Sequence, residues 1–121
     1  MLMTSLCRLL GIEHPIFSVG MGTCAGPELA AAVSNAGACG VLGTAGLQAK
    51  IVSQQIHTLR SSTDKPFGVN RILDHPQEGQ LEACFEAKVP LLIPLLGRSQ
   101  AVRQAGARSR HEGIPPGRVG R

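Results

Sequence analysis

The sequence predicts an α/β fold built on a parallel sheet, and three observations lead there. Short apolar runs alternate with segments of helical periodicity, the joining loops are short, and glycine or proline stands at nearly every junction. Strands that are joined through helices run parallel, and a parallel sheet needs helices to cover it.

Each element has its own signal. His14-Pro15 opens the run Ile16-Phe17-Ser18-Val19, which ends in Gly20-Met21-Gly22 and reads as a buried strand entering a tight turn. Pro27 stands where a first helical position should be, Glu28 adds charge to the first turn, and the Ala-rich stretch 29–36 stops at Asn35-Ala36-Gly37. Residues 40–44 form a second short strand. In 48–60, Ile51, Val52, Gln55, Ile56 and Leu59 recur at helical spacing. Asp64-Lys65-Pro66 makes a turn, 67–72 a third strand, 78–87 a third helix, and 89–93 begins a fourth strand. The expected architecture is about three and a half strand-helix units.

At 121 residues the chain has the size of one domain, yet its composition is unusual. Trp and Tyr are absent and only Phe17, Phe67 and Phe85 supply aromatic area, so the core must rest on Leu, Ile, Val and Ala. Cys7, Cys24, Cys39 and Cys84 are widely spaced with no C-x-x-C pair, which suits a reduced, cytoplasmic setting and excludes the usual zinc and dithiol patterns. The amino terminus lacks a basic segment followed by a long apolar run, and no stretch reaches the ~18 apolar residues of a membrane span. Neither a signal peptide nor a membrane partner is expected.

Charge divides the chain. Up to residue 97, six Lys and Arg face seven acids; from Arg98 onward six Arg face only Glu112, so the net charge of +4 belongs to the tail. Such a tail could contact RNA, DNA or acidic surfaces. It has no aromatic residue to stack on bases and no recognisable nucleic-acid fold, which argues against a nucleic-acid partner.

Gly20-Met21-Gly22 lies at the carboxyl end of the first expected strand, where parallel α/β folds place their ligands. A plain tight turn explains the same residues. A dinucleotide fingerprint would need its third glycine where Ala25 stands, and Gly26 comes one residue late. Gly37, Gly40, Gly43 and Gly46 repeat every three residues without a following Gly-Lys-Ser/Thr, so a helix cap, a strand start, a strand end and a turn account for all four. Asn70 lies near the end of the third strand, and its amide can donate and accept at once, as a flavin or nucleotide edge requires; a turn-forming Asn is the other reading. His14, His57, His75 and His111 have no metal-ligand spacing, and His57 falls on the solvated side of a helix. Spacing alone assigns no nucleophile, catalytic pair or metal site.

The segments HPIFSVGMGTCAGPELAAAVSNAGACGVLGTAGL and TDKPFGVNRIL closely resemble the start of the nitronate monooxygenase family, also called 2-nitropropane dioxygenase-like proteins, and its flavin-dependent enoyl-reductase relatives. The resemblance runs over about residues 10–93. PELAAAVSNAG and DKPFGVN occur in the family's order and at its spacing. It implies an FMN-dependent (β/α)8 TIM barrel, with Gly20, Met21 and Gly22 against the flavin and Asn70 hydrogen-bonded to it. The family often carries Pro-Met-Ala-Gly at this turn, so Gly20 in place of Pro and Gly22 in place of Ala imply a more flexible loop. The implied activity is oxidation of small alkyl nitronates with O2 or, in the reductase branch, reduction of an enoyl thioester.

A barrel of this kind needs roughly 250 residues. Residues 1–94 would therefore supply an incomplete (β/α)8 barrel, and 95–121 an irregular, disordered Arg-rich tail. By resemblance, the phosphate-binding loops and catalytic His come from later strands, so no catalytic residue is assigned and this truncated chain is expected to be inactive alone. The tail also has an unusual property. Codons permitted for residues 96–119, read one nucleotide later, can encode WGEAKPYVKQAHEAGMKVFLQV, a loop, an amphipathic helix ending at Gly, and a strand. A one-nucleotide frameshift near residues 93–96 is the expectation.

Overall fold

The computed structural model describes residues 2–72 and 78–95. The Arg-rich tail, the boundary drawn at residue 95, His75 and His111 thus lie outside the described residues, apart from Leu95 itself. Among the described residues, four α-helices and three strands appear in the order α1 (Ser5–Leu10), α2 (Pro27–Asn35), β1 (Gly40–Gly43), α3 (Ala49–Ser62), β2 (Phe67–Ile72), α4 (Gln80–Glu86) and β3 (Leu91–Leu95). The strands pair in the order β1-β2-β3, both pairs parallel, with Leu42 opposite Val69 and Asn70 opposite Ile93.

Local chemistry explains most boundaries. Pro27 occupies the first turn of α2, where its missing N–H costs nothing, and Gly37 follows the helix at φ 93°. Gly79 caps α4 at φ 79°. α3 buries Val52, Ile56 and Leu59 but leaves Ile51 38% exposed, so its apolar face is narrower than its sequence suggests.

Two expectations are corrected. The run Ile16-Phe17-Ser18-Val19 is no full strand: Phe17 forms a single parallel bridge to Cys39. The Cys39 N–H donates to the Ile16 carbonyl at 2.9 Å and the Ser18 N–H to the Cys39 carbonyl at 3.1 Å. The next donor, the Val41 N–H, goes to Ser18 Oγ at 2.9 Å, so a side chain replaces the backbone acceptor and the ladder stops. The second correction is α1, which periodicity did not announce. Thr4 Oγ1 accepts from the Cys7 N–H at 3.2 Å, and Gly11, at φ 70°, closes the helix by donating to the Cys7 carbonyl.

Alternation along the strands separates two faces. Leu42, Phe67 and Val69 meet Ala30 and Ala31 of α2, Val52, Ile56 and Leu59 of α3, and Cys84 of α4 in one apolar cluster. On the other side, Cys7 and Ile12 pack with Cys39, against Leu10, Phe17 and Leu91. α1 therefore covers the amino-terminal end of the second face and leaves the carboxyl-terminal end to other groups.

Ser34 ties α2 to two strands. Its hydroxyl donates to the Pro66 carbonyl at 2.9 Å and accepts from the Gly40 N–H at 3.0 Å, in a position only 1% exposed. Nearby, Thr63 Oγ1 donates to Asn35 Oδ1 at 2.6 Å and Asn35 Nδ2 to the Ser62 carbonyl at 3.1 Å. Ser34→Ala leaves a buried N–H and a carbonyl without this partner, and is expected to lower unfolding stability by about 1–3 kcal/mol. Urea titration checks this; a loss below about 0.5 kcal/mol would count against the bridge.

Burial pushes the Cys39 and Cys84 thiols up to about 11 from an ordinary value of 9.0, with the nearby Arg71 charge partly opposing the shift at Cys84. The folded chain keeps protons that the unfolded chain releases, so this stability is whole below pH 9 and declines as pH rises toward 11. Urea midpoints measured from neutral pH upward should fall across that window. The fall should be smaller when Cys39→Ala and Cys84→Ala are combined.

Candidate functional site

The carboxyl-terminal ends of the strands bring Gly43, Asn70 and Ile93 side by side, because the register pairs Gly43 with Asn70 and Asn70 with Ile93. All three lie on the face away from the helix cluster. The segment after the Phe17 bridge crosses this end and coils into a short 3-10 turn, Gly22–Cys24.

That crossing brings the sequence-predicted residues together. A Cβ built on Gly20 would lie 2.5 Å from Asn70 Cβ and 2.8 Å from its Cγ, so Gly20 rests directly on the Asn70 side chain. Gly22, at φ 56°, has open space where a side chain would project, and its carbonyl sits against Gly43 so closely that a Cβ there would collide with it. The expected flexibility of this turn needs qualification: Asn70 takes the room a Pro ring would need at Gly20, and the backbone at Gly22 is one that Ala adopts only under strain. Met21 is 51% exposed and belongs to neither apolar cluster.

Asn70 itself is 7% exposed. Its Nδ2 reaches toward the Ile93 carbonyl at 3.5 Å, the outer limit of a hydrogen bond, and its backbone carbonyl accepts from Thr44 Oγ1 at 2.7 Å. The Gly43 N–H donates to the Ala25 carbonyl at 2.9 Å, which anchors the far side of the turn. The site thus offers one carboxamide, several backbone groups and an exposed thioether. These groups can bind and orient; none of them transfers protons at neutral pH.

Behind Asn70 lies a polar cluster that sequence reasoning missed. Gln80 at the start of α4 is 2% exposed, and its Nε2 donates to the carbonyls of Thr44, at 3.0 Å, and Leu47. Its Oε1 accepts from Arg71 Nε at 3.3 Å. A glutamine opening a helix carries no motif; the usable signal was Arg71, a charged residue in an otherwise buried strand.

His14 and His57 are exposed and stand apart from these groups. Among the described residues, no three His, Cys, Asp or Glu converge as metal ligands, and no helix is long and apolar enough to cross a membrane.

The family model described as nitronate monooxygenase matches residues 3–94. A nitronate monooxygenase of Pseudomonas aeruginosa is 45% identical over 89 residues, 73% of this chain and 25% of that protein. A (3aS,4S,5R,7aS)-5-hydroxy-7a-methyl-1-oxo-octahydro-1H-indene-4-carboxyl-CoA dehydrogenase of Rhodococcus jostii is 44% identical over 69 residues, 57% of this chain and 20% of that one. Among solved structures, FabK from Thermotoga maritima superposes with a TM-score of 0.83 at 36% identity, covering 98% of this chain and 37% of its own. The chain spans about a fifth to a quarter of the length of these curated relatives. With 92 of its 121 residues matched, it belongs to the nitronate monooxygenase family.

Proposed function

We propose that residues 1–94 are the amino-terminal part of an FMN-dependent (β/α)8-barrel oxidoreductase that oxidises small alkyl nitronates with O2, and that this chain alone does not turn over. The contact of Gly20 with Asn70 at the carboxyl ends of the strands is the observation that supports this most directly. In a family member, it puts a glycine-flanked turn and a two-way amide where parallel folds hold ligands.

The residues present fit a flavin. Gly20 and Gly22 place no side chain against Asn70 or Gly43, Met21 offers an exposed thioether, and the Asn70 carboxamide carries both a donor and an acceptor, as a flavin ring edge does. A bound flavin would supply the redox chemistry, taking electrons from a substrate and returning them to O2. Gly20, Met21, Gly22 and Asn70 bind and orient it. They include no group to move a proton, and on this reading the catalytic His and the phosphate-binding loops come from further strands of the barrel.

A second reading is favoured by the relative from Rhodococcus jostii, whose name specifies a CoA thioester. A flavin-dependent reductase of an enoyl thioester would use the same cofactor contacts. The four cysteines stand free, three of them buried, which supports the expectation of a reducing, cytoplasmic setting.

The Arg-rich residues 95–121 are, on this proposal, the product of a shifted reading frame with no nucleic-acid role. Sequencing the genomic locus and its transcript tests that: a frame one base away should continue the barrel pattern, and its absence would refute the shift. For the cofactor, FMN added to the purified chain should show quenched flavin fluorescence. Asn70→Leu should weaken that binding about tenfold, the worth of one or two hydrogen bonds to a buried edge. Nitronate consumption by the chain alone would overturn the inactivity; no effect of Asn70→Leu on FMN binding would overturn the site.

A further inference from the structure

Gln80, Thr44, Asn70 and Arg71 close a ring of contacts behind the candidate site. Gln80 Nε2 donates to the Thr44 carbonyl at 3.0 Å, Thr44 Oγ1 donates to the Asn70 carbonyl at 2.7 Å, and Arg71, the next residue along β2, donates from Nε back to Gln80 Oε1 at 3.3 Å. The second Nε2 hydrogen goes to the Leu47 carbonyl, and the Leu47 N–H donates to the Thr44 carbonyl at 3.1 Å. Every member is buried: Thr44 is 1% exposed, Gln80 2%, Arg71 6% and Asn70 7%.

Such a ring is unusual for its cost. Three polar side chains, those of Thr44, Arg71 and Gln80, are withdrawn from water at one point together with the Asn70 carbonyl, where apolar residues could have packed instead. Stability alone gives little reason to keep it. The ring does join three elements through hydrogen bonds: the turn after β1, the carboxyl end of β2 and the first turn of α4. Those are the elements that carry the site, because Thr44 follows Gly43 and Arg71 follows Asn70.

We infer that Gln80 is a positioning residue: through Thr44 it fixes the backbone of Asn70, and so the direction of the Asn70 carboxamide, without touching a ligand itself. Both amide hydrogens of Gln80 hold the turn at Thr44 and Leu47, which sets where Thr44 Oγ1 can donate. Arg71 holds the Gln80 carbonyl oxygen and thereby the orientation of that amide. The consequence at the cofactor rests on the flavin reading; the coupling between Gln80 and the turn does not.

Gln80→Glu separates the two halves of the ring. A carboxylate can still accept from Arg71, but it cannot donate to Thr44 and Leu47. The full chain is compared in native, Gln80→Glu, Thr44→Val and Thr44→Ser forms, by amide hydrogen exchange of residues 44–47 and by the absorbance and affinity of added FMN. Exchange in the turn should quicken about tenfold in Gln80→Glu, the loss of roughly one hydrogen bond, while exchange at Ile56 and Leu59 of α3 stays slow. FMN should bind about tenfold more weakly to Gln80→Glu and Thr44→Val, with its absorbance shifted toward that of free flavin, and Thr44→Ser should restore both. Unchanged exchange in Gln80→Glu would overturn the coupling. Altered exchange with unaltered FMN affinity and spectrum would overturn the positioning role. If the native chain binds no FMN, the reading that these residues hold the flavin without the later strands fails separately, and the exchange measurements still decide whether Gln80 holds the turn.

Discussion

The arrangement depends on β1, a four-residue strand whose two ends leave no room for a side chain. At Gly40 a Cβ would strike the Ala30 carbonyl of α2, and at Gly43 it would strike the Gly22 carbonyl of the crossing turn. The two approaches come from opposite faces, since residues three apart on a strand point to opposite sides. Between them Val41 and Leu42 are almost completely buried. Because α2 lies so close on one side, Ser34 reaches both the Gly40 N–H and the Pro66 carbonyl. Because the turn lies so close on the other, Gly20 rests on Asn70. One constraint therefore sets both the helix layer and the site.

Much of this was legible in the sequence because it depends on residues with few conformational choices. Gly37, Gly40, Gly43 and Gly46 stand where spacing placed them: after a helix, at the start and end of a strand, and in a turn at φ 73°. Pro27 marked the start of α2 to the residue, and β2 spans the expected 67–72. The first expected strand failed for a reason that periodicity cannot carry. Ile16, Phe17 and Val19 have the composition of a strand, but Ser18 offers its hydroxyl to the Val41 N–H, and the chain then leaves the sheet with Ile16 60% and Val19 64% exposed. α1 escaped notice because six residues give too few turns to show a face; its Thr4 and Gly11 caps were the readable signal.

The site was legible only in part. Gly20, Met21, Gly22 and Asn70 could be picked out from chain position, as the residues at strand ends where ligands bind, and the structure joins Gly20 and Gly22 to that end of the sheet. Their mutual contact could not be read, since Gly20 and Asn70 are fifty positions apart and the fold alone brings them together. Gln80 was invisible for a different reason. Its importance comes from being buried with two carbonyls and a guanidinium around it, and nothing in a glutamine at a helix start announces such surroundings.

The sheet's two faces also explain how relatives with different names can share this region. On the helix side an apolar cluster, joined by the Ser34 bridge and the Gln80 contacts, sets stability. On the other side, Gly20, Met21, Gly22, Gly43, Asn70 and Ile93 contain no group that titrates near neutral pH. On the flavin reading, such a surface orients the cofactor but does not select a reaction, because selection requires groups that move protons or recognise a substrate. On the flavin reading, the residues matched here are the part of the family's fold that binds, and the difference between oxidising a nitronate and acting on a thioester lies in residues beyond the fifth to a quarter of the curated relatives that this chain covers.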